Sequence, residues 1–175
     1  MQVIDVIDNF LPKYQFKQLQ SVILSTDFSW YWNDNIIVSK PKTYQFTHGI
    51  YIFDNNTRLV SKYYSLFDFV QQKLGVGRLD RIKSNLNPKT VFHRKGGYHT
   101  DQRHPREGYP LHQKTAVLYL NTNNGWTQFK KGGKVKSVAN RIVIFDSNLE
   151  HTGVTCTNEK RRVIVNFNYD VLRGN

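Results

Sequence analysis

The residues best suited to chemistry in this sequence are a histidine and an aspartate two positions apart. Alternate side chains of a β-strand share a face, so His99 and Asp101 can reach one metal ion. His151 comes 50 residues after Asp101, just beyond the strand-like segment 141–146. Two histidines and one carboxylate make the facial triad of non-haem Fe(II) sites, which leaves coordination positions open. We therefore predict a metal site at His99, Asp101 and His151.

The His-x-Asp spacing is a weak signal when taken alone. The chain has six histidines, and such a pair is expected by chance in roughly every second chain of this composition. The triad therefore needs support from the residues on the C-terminal side of His151. The other histidines lack this spacing, and we expect them at the surface or at the rim of a site: His48, His93, His104 and His112.

An arginine lies 11 residues after His151, at the start of the strand-like segment 162–169. A cosubstrate that chelates a metal with one carboxylate needs a fixed cation for its other carboxylate, and the arginine fork suits that task. Strand alternation places Arg162 on one face and Arg161 on the other. We predict that Arg162 binds the anion and keep Arg161 as the competitor. The alternative for both is a solvated position in the charged run 159–162.

The 175 residues suit a single domain, and the pattern changes along the chain. Helical spacing within about 1–78 predicts an N-terminal helical layer, including a helix at about 60–74. Short strands with Gly/Asn turns fill about 79–170, which favours a β-barrel. The prediction is a mainly β protein with N-terminal helices (α+β), whose core is a double-stranded β-helix, the jelly-roll or cupin-like barrel.

The formal net charge is +12, which suggests acidic partners, although a basic surface can also serve solubility alone. The single cysteine, Cys156, excludes an intrachain disulfide, and no segment approaches a membrane span. We expect a cytoplasmic protein. A nucleic-acid-binding or nucleic-acid-modifying protein is the main alternative, supported by the charge and by the aromatic segment 30–32, but no nucleic-acid motif is present.

The chain resembles the Fe(II)/2-oxoglutarate-dependent dioxygenases, and within them the prolyl 4-hydroxylase-like branch with its small phage and bacterial members. The resemblance covers most of the chain and is densest from about 81 to 169. An opening helix resembling theirs falls at 8–20. The segments that carry the barrel resemblance are 98–101 (YHTD), 115–129 (TAVLYLNTNNGWTQF), 132–154 (GGKVKSVANRIVIFDSNLEHTGV) and 161–169 (RRVIVNFNY).

The resemblance implies roles for particular residues. His99, Asp101 and His151 match the iron ligands, Arg162 matches the basic residue that holds the far carboxylate of 2-oxoglutarate, and Tyr119 matches a tyrosine that hydrogen-bonds it. An ordinary core aromatic is the alternative for Tyr119. The implied activity is hydroxylation of a C–H bond with Fe(II), 2-oxoglutarate and O2, with ascorbate as a candidate reductant. A protein prolyl or similar side chain ranks first as substrate, before a nucleic-acid base or a small metabolite.

The loop 102–114 comes directly after the ligand pair and is therefore expected at the rim of the site. We predict that Arg103, Arg106 and Tyr109 contact the substrate there, although nothing in the loop matches a peptide-binding region. A cupin-type isomerase with the same triad is a further rival, and Arg162 at the expected position argues against it.

Overall fold

The computed structural model describes residues 4–34, 44–54, 57–101 and 113–171. Within these ranges the chain forms two β-sheets and two α-helices, in agreement with the predicted jelly roll. The elements are β1 (Ile4–Ile7), α1 (Lys13–Ile23), β2 (Tyr31–Asn33), β3 (Gln45–Asp54), β4 (Thr57–Val60), a 3-10 helix (Tyr64–Phe67), α2 (Asp68–Leu74), β5 (Val76–Pro88), β6 (Gln113–Tyr119), β7 (Trp126–Phe129), β8 (Lys134–Lys136), β9 (Ile142–Asp146), β10 (His151–Val154) and β11 (Arg161–Val171).

The larger sheet has the strand order β1-β9-β6-β11-β5-β3-β2, with β4 paired to β3. Its central strand, β11, pairs antiparallel with β5 on one side and with β6 on the other. Alternation along β11 sends Val163, Val165 and Phe167 into the core beneath the helices. The even-numbered residues Arg162 and Ile164 face the opposite way and line a cavity between the two sheets.

The smaller sheet has the order β10-β7-β8. A single antiparallel bridge joins His99 to His151 at its edge: His99 N donates to His151 O at 3.0 Å, and His151 N donates to His99 O at 2.9 Å. A second bridge pairs Lys95 with Val154. The segment before Asp101 is therefore fastened to β10.

The helices cover the outer face of the large sheet. Helix α1 starts directly after Pro12, whose missing N–H costs nothing at a helix start, and buries Phe16, Leu19 and Ile23. Helix α2 ends at Gly75, which adopts the left-handed conformation with φ 63°. None of the helices in the described ranges has the length and apolar character of a membrane span.

The N-terminal third is less helical than the sequence predicts. Four strands, β1 to β4, lie within its first 60 residues. The helix expected from about residue 60 starts only at Tyr64 as a 3-10 turn, because the preceding residues Thr57–Val60 pair with β3 instead. The paired residues are only three to nine positions apart, from Asp54 opposite Thr57 to Tyr51 opposite Val60, so a local antiparallel strand pair replaces the start of the expected helix.

Candidate metal centre and its cavity

The structure brings His99, Asp101 and His151 together. One potential ligand atom from each residue lies within 4.8 Å of the others. Nε2 of His151 lies 3.6 Å from Oδ2 of Asp101, and Nε2 of His99 lies 3.9 Å from Oδ1 of the same carboxylate. The three side chains therefore converge on one point, as a metal site requires.

Backbone carbonyls orient both imidazoles. Nδ1 of His151 lies 2.9 Å from Leu149 O, and Nδ1 of His99 lies 3.2 Å from Gly97 O. Since a carbonyl only accepts, each Nδ1 carries the proton, which leaves Nε2 with a lone pair toward Asp101. Burial lowers the pKa of His151, against the opposing charge of Asp101, and so favours the neutral ring that a metal needs.

Asp101 is held as an anion by groups that no sequence pattern singles out. Arg81 on β5 donates to its Oδ1 at 3.0 Å, and Thr115 on β6 donates to Oδ2 at 3.4 Å. Burial by itself would raise the pKa of Asp101, but the charge of Arg81 beside it opposes burial, and the pKa is lowered from its usual value. Arg81 is fixed in turn by Asn168, whose Oδ1 accepts from Nε at 2.8 Å.

A cavity of about 260 Å³ opens beside the three residues and is lined by both sheets. Arg162 lies in its lining and is 1% exposed. Its Nε donates to Ser137 Oγ at 2.9 Å and its Nη2 donates to Thr127 Oγ1 at 3.2 Å. No acidic side chain pairs with it in the described part of the chain, so this buried cation lacks a counter-ion.

Two glycines make room for the Arg162 side chain. A Cβ at Gly125 would lie 2.8 Å from Cδ of Arg162 and 2.7 Å from the Val154 carbonyl oxygen, and one at Gly153 would lie 3.4 Å from Nη1. Any larger residue at Gly125 would displace the arginine or the backbone. The local sequence therefore positions this guanidinium between β7 and β10.

The structure places Tyr119 behind Arg162, outside the cavity lining. Its side chain is fully buried, Arg162 stacks over the ring at 5.6 Å from the centroid, and its hydroxyl donates to Thr127 Oγ1 at 2.7 Å. Thr127 does line the cavity. Because Thr127 Oγ1 accepts from both Tyr119 and Arg162, its own proton remains available to a ligand. Thr127 lies in the segment 115–129 that carries the family resemblance, but no pattern in the sequence indicated that this threonine faces a ligand.

The remaining candidates lie elsewhere. Arg161 points away from the cavity and donates to Leu24 O at the end of α1, at 2.7 Å. Arg103, Arg106 and Tyr109 lie outside the described residues, so their predicted rim role stays a prediction.

One histidine differs from its sequence expectation. His48 is buried rather than superficial, with its ring nitrogens 2.6 Å from Ser29 O and 2.8 Å from Ser61 Oγ, so it has a structural role. His93 is exposed, as expected.

The donor set fits Fe(II) and a dicarboxylate. Two neutral imidazoles and one carboxylate suit Fe(II) and leave positions free, and an unpaired buried arginine in the same cavity suits the far end of a dianion.

Residues 90–170 match the sequence model of the 2OG-Fe(II) oxygenase superfamily. The match covers a little under half of the chain. The matched segment holds the three converging residues and Arg162. The enzyme class and the use of Fe(II) and 2-oxoglutarate are thereby confirmed at the level of the family. No curated protein matches the sequence.

Solved structures share the fold over nearly the whole chain. A 2OG-Fe(II) oxygenase-family oxidoreductase from Burkholderia pseudomallei has a TM-score of 0.65 at 10% identity, covering 96% of this chain and 84% of that one. A Pseudomonas putida prolyl-4-hydroxylase gives 0.58 at 17% identity, with 99% and 95% covered. The viral collagen prolyl hydroxylase of Paramecium Bursaria Chlorella virus-1, solved as a 2OG complex, gives 0.57 at 14% identity, with 97% and 96% covered.

Proposed function

We propose that this oxygenase hydroxylates a C–H bond, with iron held by His99, Asp101 and His151 and 2-oxoglutarate held by Arg162. The observation that carries the proposal is the buried, unpaired Arg162 in the same cavity as the three converging residues. A structural ion pair would supply an acidic partner for the arginine, and the described residues supply none. A dicarboxylate bound at its other end to the metal would supply that partner.

The protein contributes binding, orientation and electrostatics to the reaction. When bound, Fe(II) and 2-oxoglutarate supply the oxidising power with O2, giving succinate, CO2 and a hydroxylated product. Arg162 and Thr127 fix the far carboxylate, while the Leu149 and Gly97 carbonyls hold the imidazole tautomers. Arg81 keeps Asp101 ionised and oriented.

We rank a prolyl side chain in a peptide first as the substrate. The support is the shared fold with proteins that are named as prolyl hydroxylases, at identities of 14–17%. Hydroxylation of a prolyl C–H bond needs no acid–base residue from the protein, because the cofactors carry the chemistry. A cytoplasmic location and ascorbate as reductant remain predictions.

The test combines metal and cosubstrate binding with turnover. The full chain is titrated anaerobically with Fe(II) and then with 2-oxoglutarate, and succinate release is measured with peptide, amino-acid and nucleic-acid pools. We expect His99→Ala to lose most of its iron affinity, while His93→Ala, an exposed histidine outside the triad, binds iron as the parent does. Equal iron binding by parent and His99→Ala protein would overturn the assignment.

A further inference from the structure

One wall of the cavity carries polar side chains that the proposed cofactors do not use. We call this set the polar wall: Gln45, Lys83, Asn85, Asn87 and Asn166, all of which line the cavity. Lys83, Asn85 and Asn87 alternate along β5 and so share the face of Arg81. Asn166 on β11 lies directly opposite Lys83.

Three amides of the polar wall are buried and lack hydrogen-bond partners among the described residues. Gln45, Asn85 and Asn87 are 7%, 6% and 8% exposed, yet none of their side chains forms a hydrogen bond within the described residues. Oδ1 of Asn166 is buried without a partner in this part of the chain. The amides of Gln45, Asn85 and Asn87 open onto the cavity, where their donors and acceptors are available to a ligand. Several such groups facing one cavity point to a polar ligand that satisfies them.

The net positive charge of the cavity lining also indicates a polar ligand. Its described lining holds a single carboxylate, Asp101, which pairs with Arg81. Arg162 is assigned to 2-oxoglutarate, which leaves three cations without an acidic partner in the described chain: Lys83, Arg94 and Lys95. Lys83 is the most enclosed of the three, since Arg94 and Lys95 lie exposed at the mouth. Burial lowers the pKa of Lys83 to about 8, as expected for an ammonium without a counter-ion.

Lys83 is separate from the proposed contacts of the far 2-oxoglutarate carboxylate. Arg162 lies opposite Asn87 in the register of β11 against β5, whereas Lys83 lies four residues away along β5, opposite Asn166. Apolar Val117 and Ile164 also line the cavity and suit a methylene chain. Because 2-oxoglutarate would neutralise Arg162, the charge of Lys83 is left for the second reactant.

We propose that the substrate of this oxygenase carries an anionic group, a carboxylate or a phosphate, which Lys83 binds while the amides of the polar wall hold its neighbouring polar atoms. The inference rests on the proposed function and deepens it. An acidic residue beside the target in a peptide, a free small acid and a phosphorylated small molecule share this chemistry.

The test uses two pairs of probes that differ in charge alone, and inorganic phosphate. Full-length protein loaded with Mn(II) and 2-oxoglutarate is titrated anaerobically with three kinds of probe. These are N-acetyl-L-proline against N-acetyl-L-prolinamide, acetyl-Asp-Pro-Gly-amide against acetyl-Asn-Pro-Gly-amide, and inorganic phosphate. Each is repeated with Lys83→Met and with the control Lys136→Met, an exposed lysine of β8 outside the cavity. The first pair tests a free acid, the second an acidic peptide and the third a phosphate.

We expect at least one anion to bind the parent and to bind Lys83→Met about tenfold or more weakly, the cost of one charge-assisted hydrogen bond. Its neutral partner and Lys136→Met should show no such loss. Asn85→Asp, which places a carboxylate beside Lys83, should weaken the same anion and serves if Lys83→Met folds poorly. Equal binding of charged and neutral probes, or equal binding by parent and Lys83→Met, would overturn the anion site.

The 2-oxoglutarate titration separates the two proposals. If Lys83→Met weakens 2-oxoglutarate binding without any other ligand, Lys83 belongs to the cosubstrate and the inference is wrong. If neither metal nor 2-oxoglutarate binds the parent, the proposed function fails. The phosphate titration of metal-free protein then still tests Lys83. Phosphate bound by Lys83 would bind Lys83→Met more weakly, whereas phosphate bound by Arg162 would bind parent and Lys83→Met equally.

Discussion

Nη2 of Arg81 lies 3.0 Å from Oδ1 of Asp101, so a guanidinium on β5 fixes one oxygen of the proposed iron-binding carboxylate. The opposite oxygen stays near His151, 3.6 Å from its Nε2. Asn168 holds the arginine from the neighbouring strand. The orientation of Asp101 thus depends on Arg81 and Asn168, which are not proposed metal ligands.

Replacing this arginine tests its positioning role. We expect Arg81→Met to weaken Fe(II) binding about tenfold or more, as loss of a group that orients a metal ligand usually does. Arg78→Met on the same strand is the control, since Arg78 pairs with Asp170 and does not line the cavity. Anaerobic metal titration measures both. Tighter binding by Arg81→Met would mean that charge repulsion between the guanidinium and the metal outweighs orientation.

The adjacent arginines of β11 should differ in their effect on 2-oxoglutarate. Arg162→Ala removes a buried charge-assisted contact typically worth about 2–5 kcal/mol, so the 2-oxoglutarate dissociation constant should rise about thirtyfold or more. Arg161→Ala should leave it nearly unchanged, because Arg161 bonds to Leu24 O outside the cavity. Isothermal titration with metal-loaded protein gives both constants. The reverse ranking would contradict the assignment.

Substitutions at Thr127 and Tyr119 show which of the two residues contacts the far carboxylate of 2-oxoglutarate. Thr127→Val should raise the 2-oxoglutarate dissociation constant by roughly threefold to tenfold, the usual worth of one hydrogen bond. Tyr119→Phe should change it less, since the tyrosine hydroxyl bonds to Thr127 and does not itself line the cavity. A larger effect for Tyr119→Phe would restore the direct contact that the family resemblance implied.

The enclosed Lys83 should lower stability when no anion is bound. Its folded pKa of about 8 lies below the ordinary 10.5, so the unfolded chain holds more protons between those values and stability rises with pH across that window. At pH 7 the full penalty applies, and Lys83→Met should raise the free energy of unfolding by about 1–3 kcal/mol. Urea denaturation at pH 7 and pH 10 measures the difference, with Lys136→Met as control. A gain that does not shrink at pH 10 would exclude charge as its cause.

Local pattern was sufficient to predict part of the site. His99 and Asp101 lie two residues apart and Arg162 opens a strand, so alternation alone separated Arg162 from Arg161. Arg81, Thr127 and Lys83 were not predicted, because their meaning depends on which strands become neighbours. Asn168 meets Arg81 only through the register of β11 against β5, across 87 residues.

The N-terminal third likewise contains elements that local pattern predicts and elements that depend on strand pairing. Helix α1 is amphipathic and begins after a proline, and both signals are local. Strand β3 forms by pairing with β2 and β5, so its partners lie 12 to 40 residues away in sequence, whereas β4 pairs locally with β3. His48 was expected at the surface because its spacing carried no metal pattern, whereas the bonds to Ser29 and Ser61 that bury it are long-range.

The backbone bridge between His99 and His151 gives the metal a mechanical consequence. These two residues exchange both of their backbone hydrogen bonds, and their side chains converge on Asp101. An ion held by both rings would tie the two side chains together across this bridge of one residue pair. Metal loading should therefore slow deuterium uptake at the His99 and His151 amides far more than at the amides of β6. The exchange rate of these two amide protons therefore reports whether metal is bound, without substrate or oxygen.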